Sequence, residues 1–207
     1  APFLAVRRLT VLAKRFFDIV ISMIGLVLLA PLLLAVSIAV RADSPGPTIY
    51  RAVRTGLHGK PFVMYKFRTM VENADKIGGG STGRNDPRVT RVGHYLRRYK
   101  LDELPQLLNV LKGDMSLVGP RPELPMYTSL YEGEELLILT VRPGITDYAS
   151  LQFRELSEVL GDQDPDKFYE ERIIPIKNAL RVRYAKEHNL WVDAKILMST
   201  IARVIIG

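Results

Sequence analysis

The chain has 207 residues, a formal net charge of +7 and a pI of about 9.7, which favours one main folding unit and points to anionic partners: nucleotide phosphates, nucleic acid or acidic lipid headgroups. It has no cysteine, which excludes disulfides, thiolate zinc sites and cysteine nucleophiles. His58, His94 and His188 are too scattered for a spaced histidine metal motif.

Residues 1–13 read as an N-terminal extension, or a remnant of a cut in a longer protein. From Phe16 to Val40 the sequence is FFDIVISMIGLVLLAPLLLAVSIAV, with Asp18 its only charge. As a straight helix it would cover roughly 37 Å, enough for a hydrocarbon core of about 30 Å. Pro31 removes a backbone donor inside this run, so a kink or break is expected near Ala30. Arg7, Arg8, Lys14 and Arg15 precede the run, and Arg41, Arg51 and Arg54 follow it. Basic flanks on both sides favour neither orientation across a membrane, and a hairpin entering and leaving by one face satisfies both. Periodicity alone leaves a kinked single span equally open.

SPGP at residues 44–47 is a turn signal, after which Thr48–Arg54 and Phe62–Thr69 read as the strands of a β-hairpin. Residues 74–84, with Gly78, Gly79, Gly80 and Gly83, read as a surface loop or a mobile cover over a site. From Val89 to Gly113 the pattern is helical, with Val92, Tyr95 and Leu96 in one stripe and Leu104, Leu107, Leu108 and Leu111 in another. The second helix is expected to start near Asp102 and stop at Gly113. Proline-punctuated loops follow, GPRP at 119–122 and RPGIT at 142–146, and then an acidic region to about Glu171. A helix from near Asp166 should be kinked at Pro175. A last amphipathic helix, Trp191–Ile206, either lies on a membrane surface or closes the core.

Within KLDELPQLLN (100–109) the adjacent acids Asp102 and Glu103 have a plain structural reading: Asp102 caps a helix, Glu103 complements its dipole, and Pro105 sits where a missing donor costs nothing. Their setting adds a second one. The segment 84–100 carries Arg84, Arg88, Arg91, Arg97, Arg98 and Lys100 against a single acid, Asp86. Such a cluster suits phosphate oxygens and keeps neighbouring carboxylates ionised. An ionised aspartate can hold a divalent cation that bridges to phosphate, or can itself attack phosphorus. Arg121 and Arg142 lie in stiff loops, and Lys66 and Arg68 end the hairpin; individually each also reads as a solvated surface cation.

Taken together, YKFRTM (65–70), LDELPQLLNVLKGDMSLVGPRP (101–122) and RPGIT (142–146) closely resemble the bacterial sugar transferase family, the monotopic phosphoglycosyl transferases, over nearly the whole chain from about Lys14. The resemblance implies a mainly α fold with a small β-hairpin. It also implies a monotopic membrane protein with a re-entrant helix (14–42) broken at Pro31, and a cytoplasmic catalytic domain (43–207) with amphipathic interfacial helices. The implied enzyme sits on the cytoplasmic face of the bacterial inner membrane. It moves a sugar-1-phosphate from a UDP-sugar to polyprenyl (undecaprenyl) phosphate, releasing UMP, as the first membrane step of polysaccharide or glycoconjugate assembly. By the same resemblance Asp102 is the nucleophile and a Mg²⁺ ligand, Glu103 assists it, and Lys66, Arg68, Arg97, Arg121, Arg142 and Arg154 contact substrate. Membrane lipids are partners and nucleic acid is not; a homo-oligomer is left open. Ala30-Pro31 stands where the family often has Ser-Pro, and Asp147-Tyr148-Ala149-Ser150 follows RPGIT where many members continue Gly-Leu, so the donor sugar does not carry over. The rival reading is a non-catalytic, membrane-anchored module binding acidic lipid or nucleic acid through its basic face.

Overall fold

One helix, α1 (Pro2–Asp43), carries the whole apolar run of a computed structural model that describes residues 2–74, 77, 86–153 and 165–206. Most of the glycine-rich 74–84 stretch, Arg84 and Arg154 lie outside the described residues. Helix α1 continues through Pro31, so the proline expected to kink or break the run does not end the helix. Pro31 sits on the exposed side, while Leu29 before it and Leu33 after it both pack inward. Packing on both flanking turns holds the helix where the proline has removed a hydrogen bond.

Asp18, Ser22, Leu26, Leu29, Leu33, Val36 and Val40, three or four residues apart, form the stripe of α1 that faces the rest of the protein. Phe16, Phe17, Ile24, Val27, Leu28, Leu34 and Ile38 are exposed. Both ends of the stripe are tied down by hydrogen bonds. Lys14 Nζ donates to the Val118 carbonyl at 3.0 Å, and the Arg15 guanidinium to those of Val110 and Leu111 at 2.6 and 2.9 Å. Asp18 accepts from Leu117 N at 3.1 Å. At the far end Asp43 accepts from Val92 N at 2.9 Å. Among the described residues, α1 supplies the one helix long and apolar enough to cross a membrane.

The hairpin pairs β1 (Ile49–Thr55) with β2 (Pro61–Phe67) antiparallel, Ile49 opposite Phe67 and Thr55 opposite Pro61. Next, α2 (Arg91–Arg98) is capped by Thr90, whose Oγ1 accepts from Gly93 N at 3.0 Å. Gly93 admits no side chain, because a Cβ there would fall on the Thr69 carbonyl. The helical stretch 89–113 is thus two helices, α2 and α3 (Gln106–Lys112), joined by a 3-10 turn at Leu101–Glu103. Gly113 ends α3 in the left-handed conformation (φ 93°).

A second, parallel pair was not expected: β3 (Ser116–Val118) lies beside β4 (Gly144–Thr146), with Ser116 opposite Gly144 and Val118 opposite Thr146. Strands of three residues leave no alternation to read. This pair brings the GPRP and RPGIT loops together, and the approach depends on glycine, since a Cβ on Gly144 would fall on the backbone of Gly119.

The remaining helices are α4 (Pro125–Thr128), α5 (Tyr148–Gln152), α6 (Pro165–Phe168), α7 (Ile174–Glu187) and α8 (Leu190–Ile206). A π turn, Tyr169–Ile173, joins α6 to α7 directly before Pro175, so the expected kink takes the form of a widened turn where the ring would meet the carbonyl one turn back. The main core gathers Ala52, Met64, Leu107, Val110, Met115, Leu117, Val118, Tyr184 and Ile196. Each such large apolar side chain contributes roughly 1.5–3 kcal/mol relative to exposure. Helix α8 closes this core through Ile196 and leaves Trp191 and Met198 exposed on its outer side.

Candidate active site

The acid pair is positioned by an unusual backbone. Lys100 is left-handed (φ 58°, ψ 19°), a conformation uncommon for a residue with a side chain. It turns the chain out of α2 and into the 3-10 turn that contains both acids. Leu104 and Pro105 continue right-handed into α3. The helix-cap reading of Asp102 therefore fails: Pro105 occupies the cap position of α3, and no side chain caps it.

Both carboxylates are buried, but their surroundings differ. Arg121 grips Glu103 with two guanidinium nitrogens, Nη1 donating to Oε2 at 2.8 Å and Nη2 to Oε1, while Lys66 Nζ donates to Oε1 at 3.3 Å. Burial alone would raise the Glu103 pKa, but the charges of Arg121 and Lys66 outweigh it and hold Glu103 well below the usual carboxylate range. Asp102 has Lys66 Nζ at 4.0 Å, and its Oδ1 is buried with no hydrogen-bond partner among the described residues. Burial pushes its pKa up, with Lys66 acting against that and Glu103 adding to it. Adjacent acids with pKa values driven apart fit a division of labour, Glu103 as a fixed anion and Asp102 as the group with a free oxygen.

Arg121 is fixed from several sides. Its backbone N–H donates to Asp147 Oδ2 at 3.0 Å and its Nη1 to the Ile145 carbonyl at 3.2 Å. Around it, Gly119 N donates to the Thr146 carbonyl and Gly144 N to the Pro120 carbonyl, both at 3.0 Å. Asp147 also caps α5, accepting from Ser150 N at 2.6 Å. Behind Arg121 lies a buried polar group in which Glu123 Oε1 accepts from Arg181 at 2.9 Å and from the Tyr169 hydroxyl at 2.8 Å. The Lys177 ammonium sits 4.6 Å from the Tyr169 ring centre. Burial, reinforced by Arg181, pulls the Lys177 amine down to about 8.

Of the basic residues singled out in the sequence, Lys66 and Arg121 meet the acids directly. Arg97 donates to Thr69 Oγ1 at 2.9 Å; burial lowers its pKa, and the nearby Asp102 charge opposes that shift. Arg68, also expected to contact substrate, makes its bonds away from the two acids. It is buried, and its guanidinium donates to the Pro45 carbonyl at 2.5 Å and the Ser44 carbonyl at 2.6 Å, fastening the end of α1. Arg142 also lies apart from the acids: its Nε donates to the Gly113 carbonyl at 3.2 Å, at the α3 terminus that Arg15 caps from the other side. Arg154 lies outside the described residues.

Two residues were not singled out. Lys100, counted only within the basic run, is close enough for its charge to act on both acids, and burial lowers its pKa. Asp147, noted only as a departure after RPGIT, holds the Arg121 backbone. The left-handed conformation of a lysine and a contact across 26 residues leave no local sequence signal.

No group of three or more His, Asp or Glu side chains suited to a metal occurs among the described residues. The orphaned Asp102 Oδ1 nevertheless fits Mg²⁺, which is commonly held by one carboxylate together with water and substrate phosphate.

A family model described as bacterial sugar transferase matches residues 9–207. The chain is 42% identical over 195 residues to the UDP-glucose:undecaprenyl-phosphate glucose-1-phosphate transferase of Escherichia coli (strain K12), covering 92% of this chain and 39% of that protein. A protein of the same name from Caulobacter vibrioides is 41% identical over 193 residues, 92% of this chain and 68% of its own length. The UDP-N-acetylgalactosamine-undecaprenyl-phosphate N-acetylgalactosaminephosphotransferase of Aeromonas hydrophila is 36% identical over 197 residues, 94% and 44%. The chain thus spans about two fifths of the E. coli relative's length, and it belongs to the bacterial sugar transferase family.

Proposed function

We propose that this chain transfers a sugar-1-phosphate from a UDP-sugar to undecaprenyl phosphate through a covalent phosphosugar-aspartate on Asp102. The observation that carries this reading is the free, buried Oδ1 of Asp102 beside a Glu103 already neutralised by Arg121 and Lys66. In the first displacement an Asp102 oxygen bonds to the sugar-bearing phosphorus of the donor, the bridging P–O bond breaks, and UMP leaves with the electron pair. In the second, an oxygen of the lipid phosphate bonds to the same phosphorus and the aspartyl P–O bond breaks, restoring the carboxylate. Two displacements at one carboxylate let a soluble and a lipid substrate use the site in turn.

Lys66, Lys100, Arg97 and Arg121 supply the positive field for the phosphates, and Glu103 holds Arg121 and Lys66 in place for that task. Mg²⁺ held at Asp102 would neutralise charge on the diphosphate. The names of the relatives divide between glucose and N-acetylgalactosamine, so the donor sugar stays a matter for a UMP-release screen across UDP-sugars.

The membrane reading is monotopic. The helix α1 is bonded to one globular unit through Lys14, Arg15 and Asp18 at one end and Asp43 at the other. A crossing helix would place those ends about 30 Å apart on opposite sides of the hydrocarbon, and one folded unit cannot lie on both. This supports α1 embedded with both ends at one face of the membrane, and in this reading that face is the cytoplasmic face of the inner membrane. Cysteines introduced at Leu12 and Ala42 in this cysteine-free chain should label from the same side, and labelling from opposite sides refutes the arrangement.

The enzymatic test is Asp102→Asn. It should abolish UMP release and remove a phosphosugar adduct detectable by mass spectrometry on the wild type. Full turnover in that variant would sink the assignment, as would UDP rather than UMP as product.

A further inference from the structure

Arg181 is a charged side chain with no exposed surface, carried by α7 into the space behind Arg121. Three groups meet it there. Its Nη2 donates to Glu123 Oε1 at 2.9 Å and its Nη1 to Asn178 Oδ1 at 3.1 Å, while its Nε has no hydrogen-bond acceptor and lies 4.0 Å from Asp147 Oδ2. The guanidinium thus bonds two acceptors and serves the third by charge. Burial would lower the Arg181 pKa, but the charges of Glu123 and Asp147 outweigh it and keep the cation.

The two acids belong to the two loops that fix Arg121. Glu123 follows GPRP, and its carbonyl accepts from Thr55 N at 3.0 Å, which docks that loop on the end of β1. Asp147 follows RPGIT and is 1% exposed. Its Oδ2 accepts from Arg121 N at 3.0 Å and its Oδ1 from Ser150 N at 2.6 Å. Two N–H donors only partly offset the desolvation of a carboxylate, and Arg181 is the one cation within ion-pair distance of Asp147 among the described residues. Without that charge Asp147 is driven to protonate or shift, and the backbone bond it gives Arg121 goes with it. Net stability is a poor account of such a group, because apolar residues of equal volume often do as well in place of buried ions. What the fork adds is a rigid tie from α7 to both loops.

We infer that Arg181 is a positioning residue for Arg121, acting through Glu123 and Asp147 to hold the two loops where the Arg121 fork meets Glu103. Arg181 itself bonds neither Asp102 nor Glu103. The inference rests on the role given to Arg121 in the proposed transfer.

The test is a double-mutant cycle on UMP release by the full chain in detergent, below the Tm of every variant. The donor is UDP-glucose or UDP-N-acetylgalactosamine, whichever the wild type turns over. Arg181→Lys keeps the charge and loses the fork, and it should lower kcat/KM about ten-fold in the wild-type background. In an Arg121→Lys background it should cost about two-fold or less, because the group it positions is already compromised. A merely structural role would lower Tm and leave the two losses multiplying. Multiplying losses, or wild-type turnover in Arg181→Lys, overturn the inference while the transfer reading stands. Full turnover in Arg121→Lys alone overturns it at its base, since Arg121 would then have no role to support. If Arg181→Lys does not fold, Glu123→Gln, which keeps the shape of the acceptor and loses its charge, runs the same cycle with the same expectations.

Discussion

Asp102 and Glu103 are neighbours of the same charge, yet removing each charge should move stability in opposite directions. Glu103→Gln keeps the shape of the side chain but takes the anion from between Arg121 and Lys66, leaving both cations facing a neutral amide. Breaking a buried pair this way costs about 3–5 kcal/mol; because the Arg121 side chain is 27% exposed, solvent screening reduces this to roughly 2–3 kcal/mol. For a chain of this size each kcal/mol moves Tm by about 2–4 °C, so a fall of roughly 4–12 °C is expected. Asp102→Asn removes a desolvated charge whose Oδ1 has no partner, and Lys66 keeps its bond to Glu103. That variant should gain on the order of 1 kcal/mol, a rise of about 2–4 °C. The assay is thermal unfolding in detergent with EDTA, so that no metal contributes. Equal losses in the two variants, or an unchanged Tm for Glu103→Gln, would refute the argument that one acid is neutralised and the other is held free for substrate.

The other expectations follow from single contacts. Arg121→Lys keeps the charge but loses the fork on Glu103 and should lower kcat/KM for UMP release roughly a hundred-fold. Retained activity would show that the fork is dispensable. For Lys177, burial disfavours the charged form, so the penalty on the wild type builds as pH falls from the unfolded value, is complete below the folded pKa of about 8, and is relieved as pH rises again. Lys177→Met should therefore be the more stable protein at pH 7, by up to about 3 kcal/mol, with the advantage shrinking toward pH 10 in paired thermal melts. A constant difference across that range contradicts the shift. Arg68→Ala should lower Tm without changing KM for the UDP-sugar, because its bonds fasten the end of α1; the reverse pattern would return Arg68 to the site. Gly144→Ala should cost roughly 3 kcal/mol or more by forcing β4 from β3, and a wild-type Tm would show that the two backbones can separate.

The sequence by itself determined much of the local structure and the residue types gathered around the acid pair. Hydropathy located α1, β-formers around a glycine turn located the hairpin, and Gly113 marked the end of α3. The acids among arginines were legible as a charged cluster suited to phosphate because charge and residue type are visible without coordinates. Tertiary structure alone decided which cations meet the two acids. Arg68 and Arg121 read alike as basic residues in motifs, yet one fastens the end of α1 and the other grips Glu103. Arg142 was read beside Arg121 as a stiff-loop arginine, but the β3–β4 pairing leaves its guanidinium at the α3 terminus. Pro31 predicted a kink or break by local rules; the helix continues through it, with Leu29 and Leu33 on either side packed against two core clusters. Local rules act through nearest neighbours on the chain. The partners of Arg121, Asp147 and Asp18 lie 18, 26 and 99 residues away, and only the folded path of the backbone brings them into reach.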